Sequence, residues 1–395
     1  MKRILPFAVL AIIAVAIAVA TVIETVSGTD AAKVLVYHSW WFIGMWGLLT
    51  VSGAVLIFSR KLWRSIMVFL LHASFVVILA GALTTHITSK NGFVHLREGE
   101  ASCVFWTKNN AGAANGNADT FDDIAQSYNG NQLPFFICLD SFRVERDAET
   151  GAHADYVSYV QLSKGQHKEK VVISMNKIGR MNGYRIYQTS YDDDERGSIF
   201  TINYDPWGTA TTYAGYMLLG LSMIGCSLWR KRSSKPERKA AEASSSKSTT
   251  VFMALVGTLL ASYMVIAIAL QPLMPVLRSP MLFVHVGTIV IAYILLVVSM
   301  VRRQVLKTAV FFLTAGIFLG AIWANISWGT YWSWDPKESW ALITLIVYSI
   351  PLHSNSLPWF RSDKHYRIYS VFALLCLLMT YFGVNYFLGG MHSYA

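Results

Sequence analysis

The chain has 395 residues, of which 54% are hydrophobic, 13% aromatic and only 14% charged, with a formal net charge of +10. A soluble domain carries about a quarter charged residues, so this composition argues against a soluble protein and for a membrane-embedded one. The basic residues cluster beside apolar runs, which makes the positive balance a topology signal and not a nucleic-acid-binding face. The four cysteines form no CxxC pair, which leaves a zinc site or a thioredoxin-like motif without support.

A membrane-crossing helix needs about 20 apolar residues. In chain order the apolar runs predict spans at Leu5–Ile23, Trp41–Phe58, Ile66–Leu83, Tyr213–Trp229, Val251–Leu270, Met281–Val301, Ala309–Ala324, Trp340–Leu352 and Ile368–Leu388. Lys2 and Arg3 ahead of the first run resemble a signal peptide. Its length and the lack of a clean small-residue cleavage site favour an anchor. Basic clusters at Lys2–Arg3, Arg60–Arg64, Arg230–Lys247, Arg302–Lys307 and Arg361–Arg367 fall on every second connection. Basic segments stay on the cytoplasmic side, so the N-terminus is expected inside and the C-terminus outside. Residues 84–212, 271–280, 325–339 and 389–395 are then outside as well.

Segment 84–212 is polar, with strand-like runs Val171–Ser174, Tyr184–Ser190 and Ser198–Tyr204 set off by Gly183, Gly197 and Asn-rich stretches. The expected fold is therefore a polytopic α-helical membrane protein of about nine transmembrane helices with a small β-rich extracytoplasmic domain. Segment Arg230–Thr250 is rich in Lys, Arg and Ser and reads as a cytoplasmic linker. It divides an N-terminal half, residues 1–230 with four spans and the outer domain, from a C-terminal half, residues 251–395, with the linker proper at 231–250.

The most specific feature is the run from Trp328 to Trp340, Trp-Gly-Thr-Tyr-Trp-Ser-Trp-Asp-Pro-Lys-Glu-Ser-Trp, on the outer loop between spans seven and eight. Trp328, Trp332, Trp334 and Trp340, turned at Gly329, offer apolar faces. Asp335, Lys337 and Glu338 add polar handles. A planar porphyrin with charged propionates needs that combination. The competing reading is an interfacial aromatic belt, which would scatter aromatics over several helix ends.

This run resembles the tryptophan-rich WWD signature of haem-handling proteins in cytochrome c biogenesis. Its continuation Ala341–Tyr348 with Leu352-His353, and the closing segment Gly383–Tyr394, resemble the CcsA (ResC) branch. Ser39-Trp-Trp-Phe42, His72 through Gly81-Ala82, Tyr187–Tyr191 and Asp205–Gly208 resemble CcsB (ResB). Together the halves resemble a fused CcsBA-type system II synthase, with a short outer domain and few spans before the signature. The resemblance implies a bacterial cytoplasmic-membrane protein that binds haem b and presents it outside for thioether attachment to the CxxCH motif of apocytochrome c. That is the work of a holocytochrome c synthase, and thiol-reducing proteins are further candidate partners. A haem exporter or carrier without ligation, and a CcmF-like system I lyase, are the alternatives. Membrane lipid is an expected partner and nucleic acid is not.

Histidine is a common ligand of haem iron. His285, near the outer end of span six, and His392, after span nine, share the loop's side of the membrane. The resemblance implies that they are the outer axial pair. His72 and His353 lie in the inner half of their spans, one in each half of the chain. Ionisable groups within a span are costly, and the family pattern implies an inner haem-entry pair. His38, His86 and His95 are outer rivals that no motif carries. Arg278 and Lys337 are candidate propionate partners on charge and side alone. No protein nucleophile is required, because the acceptor supplies both thiols. Cys103 and Cys138 lie where a disulfide can form.

Overall fold

The computed structural model describes residues 4–108, 128–146, 151, 153–175, 177–229 and 279–388. Pro6 opens an apolar run that folds as α1, Leu5–Ser27, and Gly28 ends it with φ +87°. A short helix α2, Thr29–Ala32, and one wider turn, Lys33–Tyr37, lead to Ser39. The Ser39 hydroxyl accepts the Phe42 N–H and starts α3, Trp40–Ser59. After Arg64 comes α4, Ile66–Thr88.

The chain then builds one antiparallel sheet of eight strands: β1 Lys90–Arg97, β2 Ala101–Lys108, β3 Tyr128–Arg146, β4 His153–Lys164, β5 His167–Ile173, β6 Gly179–Met181, β7 Tyr184–Tyr191 and β8 Gly197–Tyr204. The order is β5-β4-β3-β2-β1-β8-β7-β6. Its two ends approach each other, because a Cβ on Gly179 of β6 would lie 2.8 Å from the Ile173 side chain of β5. The sheet is thus barrel-like. Alternate residues fill its inside, as Leu133, Phe135, Ile137 and Leu139 of β3 do beside Val94, Phe105, Ile186 and Phe200. Cys103 and Cys138 sit on adjacent strands as free thiols.

Helix α5, Pro206–Trp229, leaves the sheet and runs antiparallel along α4. Small residues bring the two backbones close: a Cβ on Gly81 would meet Thr212, one on Gly208 Thr85, one on Gly215 Ile78 and one on Gly225 Met67. The remaining elements are α6 Pro280–Val301, α7 Leu306–Trp328, α8 Pro336–Ser349, a tight turn Ile350–His353, α9 Asp363–Leu378, a wider turn Met379–Gly383 and α10 Val384–Phe387.

Six helical stretches among the described residues are long and apolar enough to cross a membrane: Leu5–Ser27, Trp40–Ser59, Ile66–Thr88, Pro280–Val301, Arg303–Trp328 and Asp363–Phe387. The protein is an integral membrane protein with a barrel-like sheet. Of the three other expected spans, Tyr213–Trp229 falls within α5, which is less apolar than these six. Trp340–Leu352 falls on the 14-residue α8 and the turn after it, a stretch opened by Pro336 and carrying a second proline at Pro351. Val251–Leu270 lies outside the described residues, with the linker 231–250.

The membrane core joins both halves of the chain. Val9, Ile13, Ile17 and Ala20 recur along one face of α1 and are buried with Leu296 of α6, Leu313 of α7, Ile343 and Val347 of α8 and Leu377 of α9.

Candidate functional site

His72 of α4 and His353 after α8 come from opposite halves of the sequence, and their ring centroids lie 6.1 Å apart at 79°. His72 Nδ1 lies 2.7 Å from the Val68 carbonyl and His353 Nδ1 3.1 Å from the Ser349 carbonyl. A carbonyl oxygen only accepts, so each Nδ1 carries the proton and each Nε2 presents a lone pair. Metal–imidazole bonds of about 2.0–2.1 Å place two ring centroids on the order of 6 Å apart across a metal. Among the described residues no three His, Cys, Asp or Glu side chains converge. The pair therefore suits a metal that brings its own equatorial ligands better than a bare ion. The Phe7 ring meets His353 edge-on at 5.3 Å.

The tryptophan-rich loop lies toward the other end of α1. Trp340 Nε1 donates to the Thr21 hydroxyl at 3.2 Å, and Phe7 and Thr21 are separated by about 21 Å of helix. Asp335 caps α8 by accepting the Lys337 N–H at 2.9 Å. The Glu338 carboxylate reaches back to the Ser333 N–H at 2.8 Å and the Ser333 hydroxyl at 3.2 Å. These bonds hold Trp334 at φ +62°, a left-handed conformation that costs a residue with a side chain about 1–2 kcal/mol. Trp334 stacks on Tyr37 at 4.7 Å and 12° and meets Phe42 at 5.5 Å and Trp332 edge-on at 5.9 Å. Burial pushes the Tyr37 hydroxyl up to about 12, so it stays protonated. Trp328 packs on Trp323 at 4.8 Å. The rings interlock with the connection between α1 and α3, and Trp332 Nε1 is buried with no acceptor among the described residues. Such an indole N–H suits a carboxylate ligand. Lys337 Nζ donates to Asn385 Oδ1 at 3.2 Å.

His285 of α6 lies against α7, where Gly320 clears space for its ring and Gly316, four residues earlier, offers its carbonyl. Its Nδ1 donates to the Gly316 carbonyl at 2.8 Å, which again makes Nε2 the unprotonated nitrogen. A Cβ on Gly320 would come within 2.6 Å of the His285 ring. His392 and Arg278 lie outside the described residues. Among the rivals, His95 is held by Asp192 at 2.9 Å on the sheet surface, whereas the His38 and His86 rings meet at 5.8 Å.

One cluster was not visible in the sequence. Asn325, 1% exposed near the end of α7, accepts from Arg185 Nη1 at 2.9 Å and from the Tyr213 hydroxyl at 3.0 Å, and donates to the Gly329 carbonyl at 3.3 Å. The Tyr187 hydroxyl donates to the Asn325 carbonyl at 3.3 Å. Burial pushes that hydroxyl, too, up to about 12. Arg185 also donates to Asn203 at 2.6 Å and Thr209 at 3.3 Å. Gly329 at φ +83° lies so near Tyr187 that a Cβ there would come within 2.6 Å of the ring. The sheet thus docks on the foot of the loop through a polar network. An isolated Asn and Arg 140 residues apart carry no motif that would announce it.

Taken together, this is an integral membrane protein with a half-buried imidazole pair at one end of its bundle and an aromatic loop clamped by a barrel-like sheet at the other. Residues 298–392 match the family described as Cytochrome C assembly protein, and residues 55–214 match the ResB-like family. The ResB-like match thus precedes the cytochrome c assembly match, an order consistent with a fused ResB/CcsA system II protein. It is 49% identical over 83 residues to Protein NrfI of Wolinella succinogenes, covering 21% of this chain and 9% of the relative. It is 45% identical over 96 residues to cytochrome c biogenesis protein CcsA of Trachelium caeruleum, covering 23% and 28%. With CcsA of Chlamydomonas reinhardtii it is 34% identical over 153 residues, covering 31% and 43%. The chain spans less than half the length of each of these relatives.

Proposed function

We propose that this chain takes up haem b between His72 and His353 in the inner half of the membrane and presents it at the tryptophan-rich loop outside. There it would be attached to the CxxCH motif of apocytochrome c, which is holocytochrome c synthase activity. The observation that carries the reading is the imidazole pair. Two rings from opposite halves of the chain are spaced for one iron, each oriented by a backbone carbonyl through Nδ1. The similarity of both segments to ResB-like and cytochrome c assembly families supports it.

The topology belongs to the same proposal. The Arg60–Arg64, Arg302–Lys307 and Arg361–Arg367 connections share the His353 end of the bundle, where Arg303 pairs with Asp363 at 3.4 Å. Basic residues assign that end to the cytoplasm, so the sheet and the loop face outward in a bacterial cytoplasmic membrane. Helix α5, lying along α4, counts as a span in this reading, and Val251–Leu270 and α8 complete nine.

Attachment adds each acceptor thiol across one haem vinyl group. An S–H bond and the vinyl π bond break, a C–S and a C–H bond form, and no net oxidation occurs. The chain needs no nucleophile of its own. Its contribution is proximity and orientation: His285 and His392 hold the iron outside, and Trp328, Trp332, Trp334 and Trp340 enclose the ring. The Trp332 indole N–H, with Arg278 and Lys337, serves the propionates. One outer histidine gives way to the histidine of CxxCH. The test is co-expression with an apocytochrome c in a host lacking its own maturation genes, scored by haem stain. A stained, covalently haemylated acceptor is expected. Haem bound to this chain with an unstained acceptor would reduce it to a carrier.

A further inference from the structure

His38 and His86 form a second facing pair of imidazoles that the function above does not use. His38 lies just ahead of α3 and His86 in the last turn of α4. Their ring centroids are 5.8 Å apart at 62°, against 6.1 Å and 79° for His72 and His353. Among the described residues neither ring nitrogen of His38 or His86 is engaged in a hydrogen bond, and no third His, Cys, Asp or Glu side chain joins them to complete a bare-ion site.

The surroundings of the pair are as specific as its spacing. The residue before each histidine touches the tryptophan-rich loop: Tyr37 stacks on Trp334, and the Thr85 hydroxyl bonds the Tyr331 hydroxyl. Trp40 and Trp41 next to His38 are 84% and 49% exposed, so apolar faces stand open beside the pair. His86 also lies fourteen residues beyond His72 on the same helix. That is close to four turns, so both project from nearly one face of α4, about 21 Å apart along its axis.

We propose that His38 and His86 are a third haem-iron ligand pair, a way-station that receives haem passed outward along α4 from the His72–His353 pair before it reaches the tryptophan-rich loop. A macrocycle-bound iron fits better than a free cation, because two imidazoles supply axial ligands only and the neighbouring surface is aromatic. The proposal rests on the haem reading above, but its ligands and its test are separate.

The experiment uses the full chain in detergent micelles, titrated with ferric haem and read by absorption for low-spin bis-imidazole iron. In a variant lacking the other four assigned histidines (H72A, H285A, H353A and H392A together), one low-spin equivalent is expected to remain. Adding His38→Ala or His86→Ala should weaken it at least tenfold. In the otherwise native chain, His86→Gly should lose one equivalent, and free imidazole should restore it; a histidine needed only for folding would not give that rescue. Loss of all low-spin haem from the fourfold variant while the single His38→Ala and His86→Gly chains keep the parent stoichiometry overturns the proposal and leaves the function standing. Zn2+ alone binding the pair with no haem equivalent depending on it also overturns it. A parent chain that binds no haem at all removes the function and this pair together.

Discussion

Replacing His285 with alanine is expected to cut attachment of haem to a CxxCH acceptor by at least about tenfold, and added imidazole is expected to restore part of it. The reasoning starts from the tautomer. The Gly316 carbonyl accepts the Nδ1–H hydrogen bond at 2.8 Å, so Nε2 is the nitrogen that would coordinate iron in the proposed site. The ring lies where Gly320 leaves room for no side chain but itself. Alanine removes the ligand and opens a space of imidazole size, which free imidazole can enter. The bundle should survive, because the half-buried His285 lies at the margin of the apolar core that holds α6 to α7. Attachment at the parental level in this variant would remove His285 from the ligand set.

Asn325→Leu should destabilise the docking of the sheet on the loop by about 2–4 kcal/mol, the range for several buried polar groups losing partners at once. The side chain is close to isosteric, so packing changes little. Arg185 Nη1, the Tyr213 hydroxyl and the Gly329 carbonyl each lose a bond. Asn325→Asp keeps the acceptor for Arg185 and Tyr213 and should lose less. The measurement is hydrogen exchange of the 329–339 backbone in the full chain, with the thermal midpoint alongside. Unchanged exchange in the leucine variant would mean that the network does not hold the loop. If it does, haem content should fall in the same order, leucine below aspartate below parent.

The uneven legibility of the chain has physical causes. Apolar runs announce helices by length, and α1, α3, α4, α6, α7 and α9 were all readable that way. The run Trp340–Leu352 announced α8 as well, but not its length: the regular helix, opened by Pro336, is only 14 residues. In the sheet, β5, β7 and β8 show alternation close to turn residues. β3 hides its own: Gly130 and Pro134 read as breakers, although Leu133, Phe135, Ile137 and Leu139 alternate inward. The tryptophan run was legible as an aromatic cluster, and its acidic residues were read as polar handles. The geometry gives Asp335 and Glu338 a further task, holding the loop's own backbone. The approach of His72 to His353 depends on packing across the two halves, which periodicity does not encode. Depth within the spans and the family resemblance suggested the pairing; the distance of 6.1 Å came from the structure. The Asn325 network and the His38–His86 contact bring together residues 140 and 48 positions apart with no motif between them.

The measurement that bears most directly on the central claim is the haem content of the purified full chain, by absorption, for the parent and for His72→Ala, His353→Ala and the double variant. Both rings serve one iron in this account. The parent should carry haem, each single variant should lose the inner-site share, and the double should be little worse than either, because two changes at one site do not add. Fully additive losses, or single variants that hold as much haem as the parent, would contradict it.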